Sequence, residues 1–134
     1  MTQKTILYVE DNEFNRKIVR QLLARTSYRL TEATDGEQGV ASATAAPPDL
    51  ILMDIQLPKM SGLEATRKLR EDARTAAVPI IVVTSFALSG DEHKAKAAGA
   101  TAYLAKPYSP RELLAKIREL VPEGIPPEGA GACD

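Results

Sequence analysis

Five residues able to bind a metal or attack an electrophile fall directly at the ends of short apolar runs. Glu10 and Asp11 follow ILYV, Asp54 follows LILM, Thr84 closes IIVVT, and Lys106 follows AYLA. Asp54 is the least expected of them, because it sits in LILMDIQLPKMSGLE (Leu50 to Glu64), where a carboxylate costs stability unless a charge meets it. If the runs are neighbouring strands, three carboxylates and one ammonium share a small crevice. Carboxylates that close repel one another unless a divalent cation joins them. Oxygen donors without His or Cys select a hard ion such as Mg²⁺. Mg²⁺ is usually held by one or two carboxylates, with waters and phosphate oxygens completing its octahedron, which leaves Asp54 as both ligand and nucleophile.

The elements that must position these residues alternate along the chain. The predicted strands are Ile6 to Val9, Tyr28 to Ala33, Leu50 to Met53, Ile80 to Thr84 and Ala102 to Ala105. Three are nearly all apolar, as buried central strands should be, whereas YRLTEA alternates like a strand near an edge. Nothing obvious for the site comes from that second strand.

Between the strands lie five helical stretches. Asn12 or Glu13 opens one through Arg25, with Phe14, Ile18, Leu22 and Leu23 as its apolar stripe. Asp35 begins one through Ala45, ended by Pro47 and Pro48. Ser61 caps Gly62 to Glu71, with Glu64 placed to complete a capping box. Ser89 caps a helix through Ala98 that Gly99 stops, and Ser109 with Pro110 starts the last, through Leu120. The charged REDAR segment (Arg70 to Arg74) reads as a solvated helix end, and His93 as a surface residue. Five βα pairs with right-handed crossovers make a doubly wound α/β sheet, which binds ligands at the carboxyl ends of its strands.

With 134 residues, 44% of them hydrophobic, the chain fits one domain, expected over residues 1–121 with a disordered Pro/Gly-rich tail at 122–134. Seventeen basic residues against 18 acidic ones give a net charge of -1, which disfavours nucleic acid and anionic membranes as partners. No run is long enough to span a membrane. Cys133, the one cysteine, can close no intramolecular disulfide, and a reducing cytoplasm is the expected compartment. GEQG (Gly36 to Gly39) lacks the lysine pattern of a phosphate-cradling loop.

The acidic pair in VEDN, the MDIQLPKMSGLE segment around Asp54, Thr84 in VVTSFA and the Lys106-Pro107 dipeptide resemble a response-regulator receiver domain of the CheY type, in order and spacing. The resemblance covers about residues 4–121. VEDNEFN, LILMDIQLP and TSFALSGDE are most similar to single-domain regulators of the DivK type; receiver modules of hybrid histidine kinases share two of these segments and stand as the alternative. The family fold is flavodoxin-like, a five-stranded parallel sheet in order 2-1-3-4-5 with five helices.

The resemblance implies that Asp54 accepts a phosphoryl group from a phosphohistidine of a sensor histidine kinase or a histidine phosphotransfer protein. It implies Mg²⁺ bound by Asp11, Asp54 and the backbone carbonyl of Gln56, with Glu10 acting through water. Lys106 and Thr84 would each contact a phosphoryl oxygen. Thr84 and Tyr103 would form a switch that alters a protein-binding face from about Ser89 to Leu120. Gln56 and Phe86 would flank the hydrolytic water and set the phosphoryl lifetime. Three other uses of such a fold fit less well. A dehalogenase-type phosphatase needs a second Asp where this chain has Gln56, a flavin carrier needs a hydroxyl-rich loop after the first strand, and a non-phosphorylated scaffold does not need the full set of reactive residues.

Overall fold

A computed structural model of the chain describes residues 4–84, 91–105 and 109–122. Strands and helices alternate as β1 (Thr5–Val9), α1 (Glu13–Leu23), β2 (Arg29–Ala33), α2 (Gly36–Ala45), β3 (Leu50–Asp54), α3 (Gly62–Glu71), β4 (Ile80–Thr84), α4 (Asp91–Ala98), β5 (Ala102–Ala105) and α5 (Pro110–Leu120). The strands form one parallel sheet in the order β2-β1-β3-β4-β5, as the resemblance implies. Its winding reverses between β1 and β3, which opens a crevice at their carboxyl ends. Phe86, Ser89, Lys106 and the tail from 123 to 134 lie outside the described residues.

Alternation along each strand divides the core into two layers. Ile6 and Tyr8 of β1, Leu50 and Leu52 of β3, and Ile81 and Val83 of β4 pack with Val19 and Leu23 of α1 and Leu113 and Ile117 of α5. Leu7, Val9, Ile51, Met53, Ile80 and Val82 face α2, α3 and α4 through Ala43, Ala65, Leu69 and Ala95. The middle strands β3 and β4 are buried along their whole length, while β2 is half-exposed at the edge.

Four caps follow the sequence. The side chains of Asn12, Asp35, Ser61 and Ser109 accept the first free N–H groups of α1, α2, α3 and α5. The reciprocal box forms at Ser109 and Glu112; at α3 the hydroxyl of Ser61 accepts from the Glu64 amide, and the expected box is only half made. Gly99 stops α4 with φ of 109°, while Ala100 N–H returns to the carbonyl of Ala95. Tyr28 precedes β2 rather than opening it, and its buried hydroxyl donates to the Val121 carbonyl at 2.5 Å, tying the end of α5 to the edge strand.

The stripe expected on α1 is rotated. Leu23 is buried and Leu22 packs against the core, but Phe14 is 69% exposed and Ile18 40%, and Val19 takes the buried place. At about 100° per residue, a row spaced by four drifts about 40° at each step. The row 14, 18, 22 therefore winds out of the interface, and the buried side centres on Val19 and Leu23. The helix also ends at Leu23 rather than Arg25, because the Thr26 hydroxyl and amide both take the Leu23 carbonyl.

Arg70 is a second correction. The guanidinium is not solvated at a helix end: it reaches the carbonyls of Gly99 at 2.8 Å and Val78 at 2.6 Å and the Thr101 hydroxyl at 3.2 Å. Burial lowers its pKa below the usual arginine value. Asp72 and Arg74 do behave as the sequence suggests, forming an exposed local pair that holds the Asp72 carboxyl at about 2.

Candidate functional site

The acid pair is delivered by one extra step of strand pairing. The Glu10 amide donates to the Ala33 carbonyl beyond the end of β1, so Glu10 continues the strand and Asp11 leads into the cap of α1. Two residues before Glu10 and on the same side, the buried Tyr8 hydroxyl donates to Glu10 Oε1 at 3.2 Å. The Asn12 amide donates to Oε2 at 3.1 Å. Glu10 is thus a buried carboxylate whose oxygens are both engaged, whereas Asp11 is open to solvent.

Asp54 is the last residue of β3, in register with Val83, and it too is buried. One carboxylate oxygen from each of Glu10, Asp11 and Asp54 lies within 4.8 Å of the other two. Like charges about 4 Å apart repel by roughly 4 kcal/mol at an effective dielectric of 20, so the trio favours a bound cation. Hard oxygen donors and one ligand on the open side fit Mg²⁺, which keeps several waters.

Close packing fixes the loop after Asp54. Ile55 donates to the Val83 carbonyl at 3.0 Å and accepts from the Gly62 amide at 2.8 Å. A Cβ on Gly62 would lie 1.9 Å from the Asp54 carbonyl oxygen, so only glycine lets α3 start against the end of β3. Gln56 is exposed on this loop, and Lys59 takes a left-handed φ of 69°. Its ammonium lies 3.8 Å from the carboxylate of Asp35, which also caps α2. The second strand therefore does contribute: the segment after β2 braces the loop that follows Asp54.

Thr84 closes β4 and is buried. By strand alternation it points to the same side as Val82, the layer against which half-buried Tyr103 packs. The structure thus brings Glu10, Asp11 and Asp54 together, with Thr84 at the neighbouring strand end and Gln56 on the adjoining loop; Lys106 and Phe86 fall outside the described residues.

Sequence reasoning missed the contact of Tyr8 with Glu10, the pairing of Asp35 with Lys59 and an ion-pair network beside the acids. Arg16 Nε lies 3.2 Å from Glu32 Oε1, and Arg20 binds the same carboxylate through two contacts of 2.8 Å. The Arg20 hydrogen bonds lead in holding the Glu32 carboxyl below its ordinary value of 4.5, against the opposing effect of burial. A depressed carboxylate stabilises the fold above its unfolded pKa and loses that contribution as pH falls through the folded one. Wild type should therefore lose stability more steeply than Glu32→Gln below about pH 4.5, read from urea midpoints across an acid series. Parallel curves would contradict it.

The comparisons with known proteins agree with this geometry. The family described as "Response regulator receiver domain" matches residues 6–118. The polar-differentiation response regulator DivK of Brucella ovis is 41% identical over 115 residues, covering 86% of this chain and 94% of the relative. The receiver domain of sensor histidine kinase PA1611 from Pseudomonas aeruginosa, solved with a magnesium ion coordinated in its active-site cleft, superposes with a TM-score of 0.82 at 39% identity, covering 89% of this chain and 98% of that one. Chemotaxis protein CheY4 of Vibrio cholerae gives a TM-score of 0.84 at 29% identity, covering 90% and 100%. With the acids at the strand ends and the family match over nearly the whole sheet, the chain belongs to the response regulator receiver domain family.

Proposed function

We propose that the chain is a single-domain response regulator of a two-component phosphorelay, phosphorylated on Asp54 by a phosphohistidine of a sensor histidine kinase or a histidine phosphotransfer protein. The observation that carries this is the convergence of Glu10, Asp11 and Asp54 at the strand ends of a receiver-family sheet. In the transfer, a carboxylate oxygen of Asp54 forms a bond to phosphorus while the phosphorus–nitrogen bond breaks. The imidazole departs with that electron pair, and an acyl phosphate is left on Asp54. Such a transition state spreads charge over the equatorial oxygens and demands placement and counter-charge more than acid–base chemistry.

Asp11, Asp54 and the Gln56 carbonyl would hold Mg²⁺ directly and Glu10 through water; bound there, Mg²⁺ neutralises charge on the phosphoryl oxygens. Lys106 pairs with one phosphoryl oxygen and the Thr84 hydroxyl donates to another. These groups assist phosphorylation and dephosphorylation of the chain itself, with no external substrate turned over. Thr84 moves toward the phosphoryl group and Tyr103 turns inward behind it, changing a protein-binding face from about Ser89 to Leu120. Residues 1–121 form the receiver unit, residues 122–134 a tail, and the cytoplasm is the working compartment. Gln56 and Phe86 tune hydrolysis, so Phe86→Ala should change the rate of phosphoryl loss; an unchanged rate would remove Phe86 from that role.

The reading is tested with beryllofluoride, a mimic of the acyl phosphate, in the presence of Mg²⁺. Amide resonances of Thr84, Tyr103 and α4 should shift in wild type and stay still in Asp54→Asn. No shift in wild type would favour a receiver fold used as a scaffold. The likeness to the PA1611 receiver supports a second reading, a module of a hybrid histidine kinase. The intact mass of the protein from its host separates the two, since a hybrid kinase is a far longer chain.

A further inference from the structure

We propose that Arg16 is a positioning residue for the acid pair, holding the turn that presents Glu10 and Asp11 to Mg²⁺; this rests on the metal site proposed above. Its Nη1 donates to the Glu10 backbone carbonyl at 2.9 Å, its Nη2 meets Glu13 Oε1 at 2.5 Å, and its Nε lies 3.2 Å from Glu32 Oε1. One guanidinium therefore joins the end of β1, the first turn of α1 and β2. Its side chain is only 12% exposed, and a planar fork held at three points confines the groups it touches. Ion pairing alone does not require it. Arg20, one turn on, already binds Glu32 through two contacts and lies 3.9 Å from Glu13. The contact that Arg16 adds is the one to the Glu10 carbonyl, at the residue whose side-chain oxygens are held by Tyr8 and Asn12.

Positioning and electrostatics predict opposite signs. A cation beside three carboxylates weakens their attraction for Mg²⁺, so a purely electrostatic Arg16 would give tighter binding when removed and no change when replaced by lysine. A positioning Arg16 gives weaker binding in both cases, because lysine keeps the charge but cannot fork between carbonyl and carboxylate. Groups that orient metal ligands typically change affinity by about tenfold or more.

The test is a Mg²⁺ titration of ¹⁵N-labelled protein at fixed ionic strength, following the amides of residues 9–13, with the metal-free thermal midpoint measured alongside. Arg16→Lys and Arg16→Ala should each raise the Kd for Mg²⁺ about tenfold. Arg20→Ala, which removes a neighbouring charge of the same sign, should leave it unchanged or slightly lower. An unchanged Kd in Arg16→Lys, or a tighter one in Arg16→Ala, overturns the positioning role while leaving the metal site standing. An equal loss of affinity in Arg20→Ala also overturns it, since general loosening of α1 would then be the cause. Absence of any Mg²⁺ response in wild type overturns the metal site and this role with it.

Discussion

Replacing Gly62 by alanine is expected to destabilise the fold by about 3 kcal/mol, the sum of an overpacking cost and one lost hydrogen bond. The added Cβ would stand 1.9 Å from the Asp54 carbonyl oxygen, 2.8 Å from its carbon and 2.9 Å from the Cα of Ile55. All three are backbone atoms at the end of β3, pinned by pairing with β4, so no side chain can rotate away. Relief must come from α3 moving off the strand, which breaks the 2.8 Å bond from the Gly62 amide to the Ile55 carbonyl. The same movement displaces the loop that carries Gln56, so phosphorylation of the variant should slow even where it remains folded. Urea unfolding together with the initial rate of phosphorylation measures both effects. A midpoint and rate equal to those of wild type would contradict the close contact.

Arg70→Ala should cost a similar amount, about 3 kcal/mol, for a different reason. The Arg70 guanidinium is a cationic hub for carbonyls from two loops: Thr75, Ala76 and Val78 before β4, and Gly99 between α4 and β5. It also donates to the Thr101 hydroxyl, which itself accepts from the first amide of β4. Truncation leaves half-buried carbonyls without their charged donor, and a hydrogen bond to a charged group is worth about 1.5–3 kcal/mol. Although burial lowers its pKa, the guanidinium stays charged across the working range, so the loss should not vary between neutral and mildly alkaline pH. Arg70→Lys should fall between wild type and alanine, because one ammonium cannot span both loops. These contacts lie at the opposite end of the sheet from Asp54, so Mg²⁺ binding should be untouched. A wild-type unfolding midpoint in Arg70→Ala would show that water replaces the guanidinium without cost.

Both expectations come from features that residue types reveal unevenly. Glu10, Asp11, Asp54 and Thr84 were legible because apolar runs mark strands and a reactive residue at the end of each must gather at one rim. Asn12, Asp35, Ser61, Ser109 and Gly99 were legible because capping and stopping a helix are local acts. The roles of Arg16 and Arg70 were not, since their key partners are backbone carbonyls, which every residue carries and no sequence pattern marks. Phe14 and Ile18 misled because helical spacing gives the rows of a helix but not its phase against the sheet. The outcome on α1 leaves an exposed Phe14 one turn from the acid pair. The bracing of the loop after Asp54 by Asp35 and Lys59 depends on a left-handed backbone at a lysine, which composition does not announce.

The proposed role of Asp54 is to carry the phosphoryl group with the help of a divalent cation. It is tested most directly by the intact mass of the protein after incubation with acetyl phosphate, for wild type and Asp54→Asn, with Mg²⁺ and with a chelator. Wild type should gain one phosphoryl group with Mg²⁺, a gain lost on chelation and absent from Asp54→Asn. Equal modification of Asp54→Asn, or modification of wild type that ignores Mg²⁺, would contradict it.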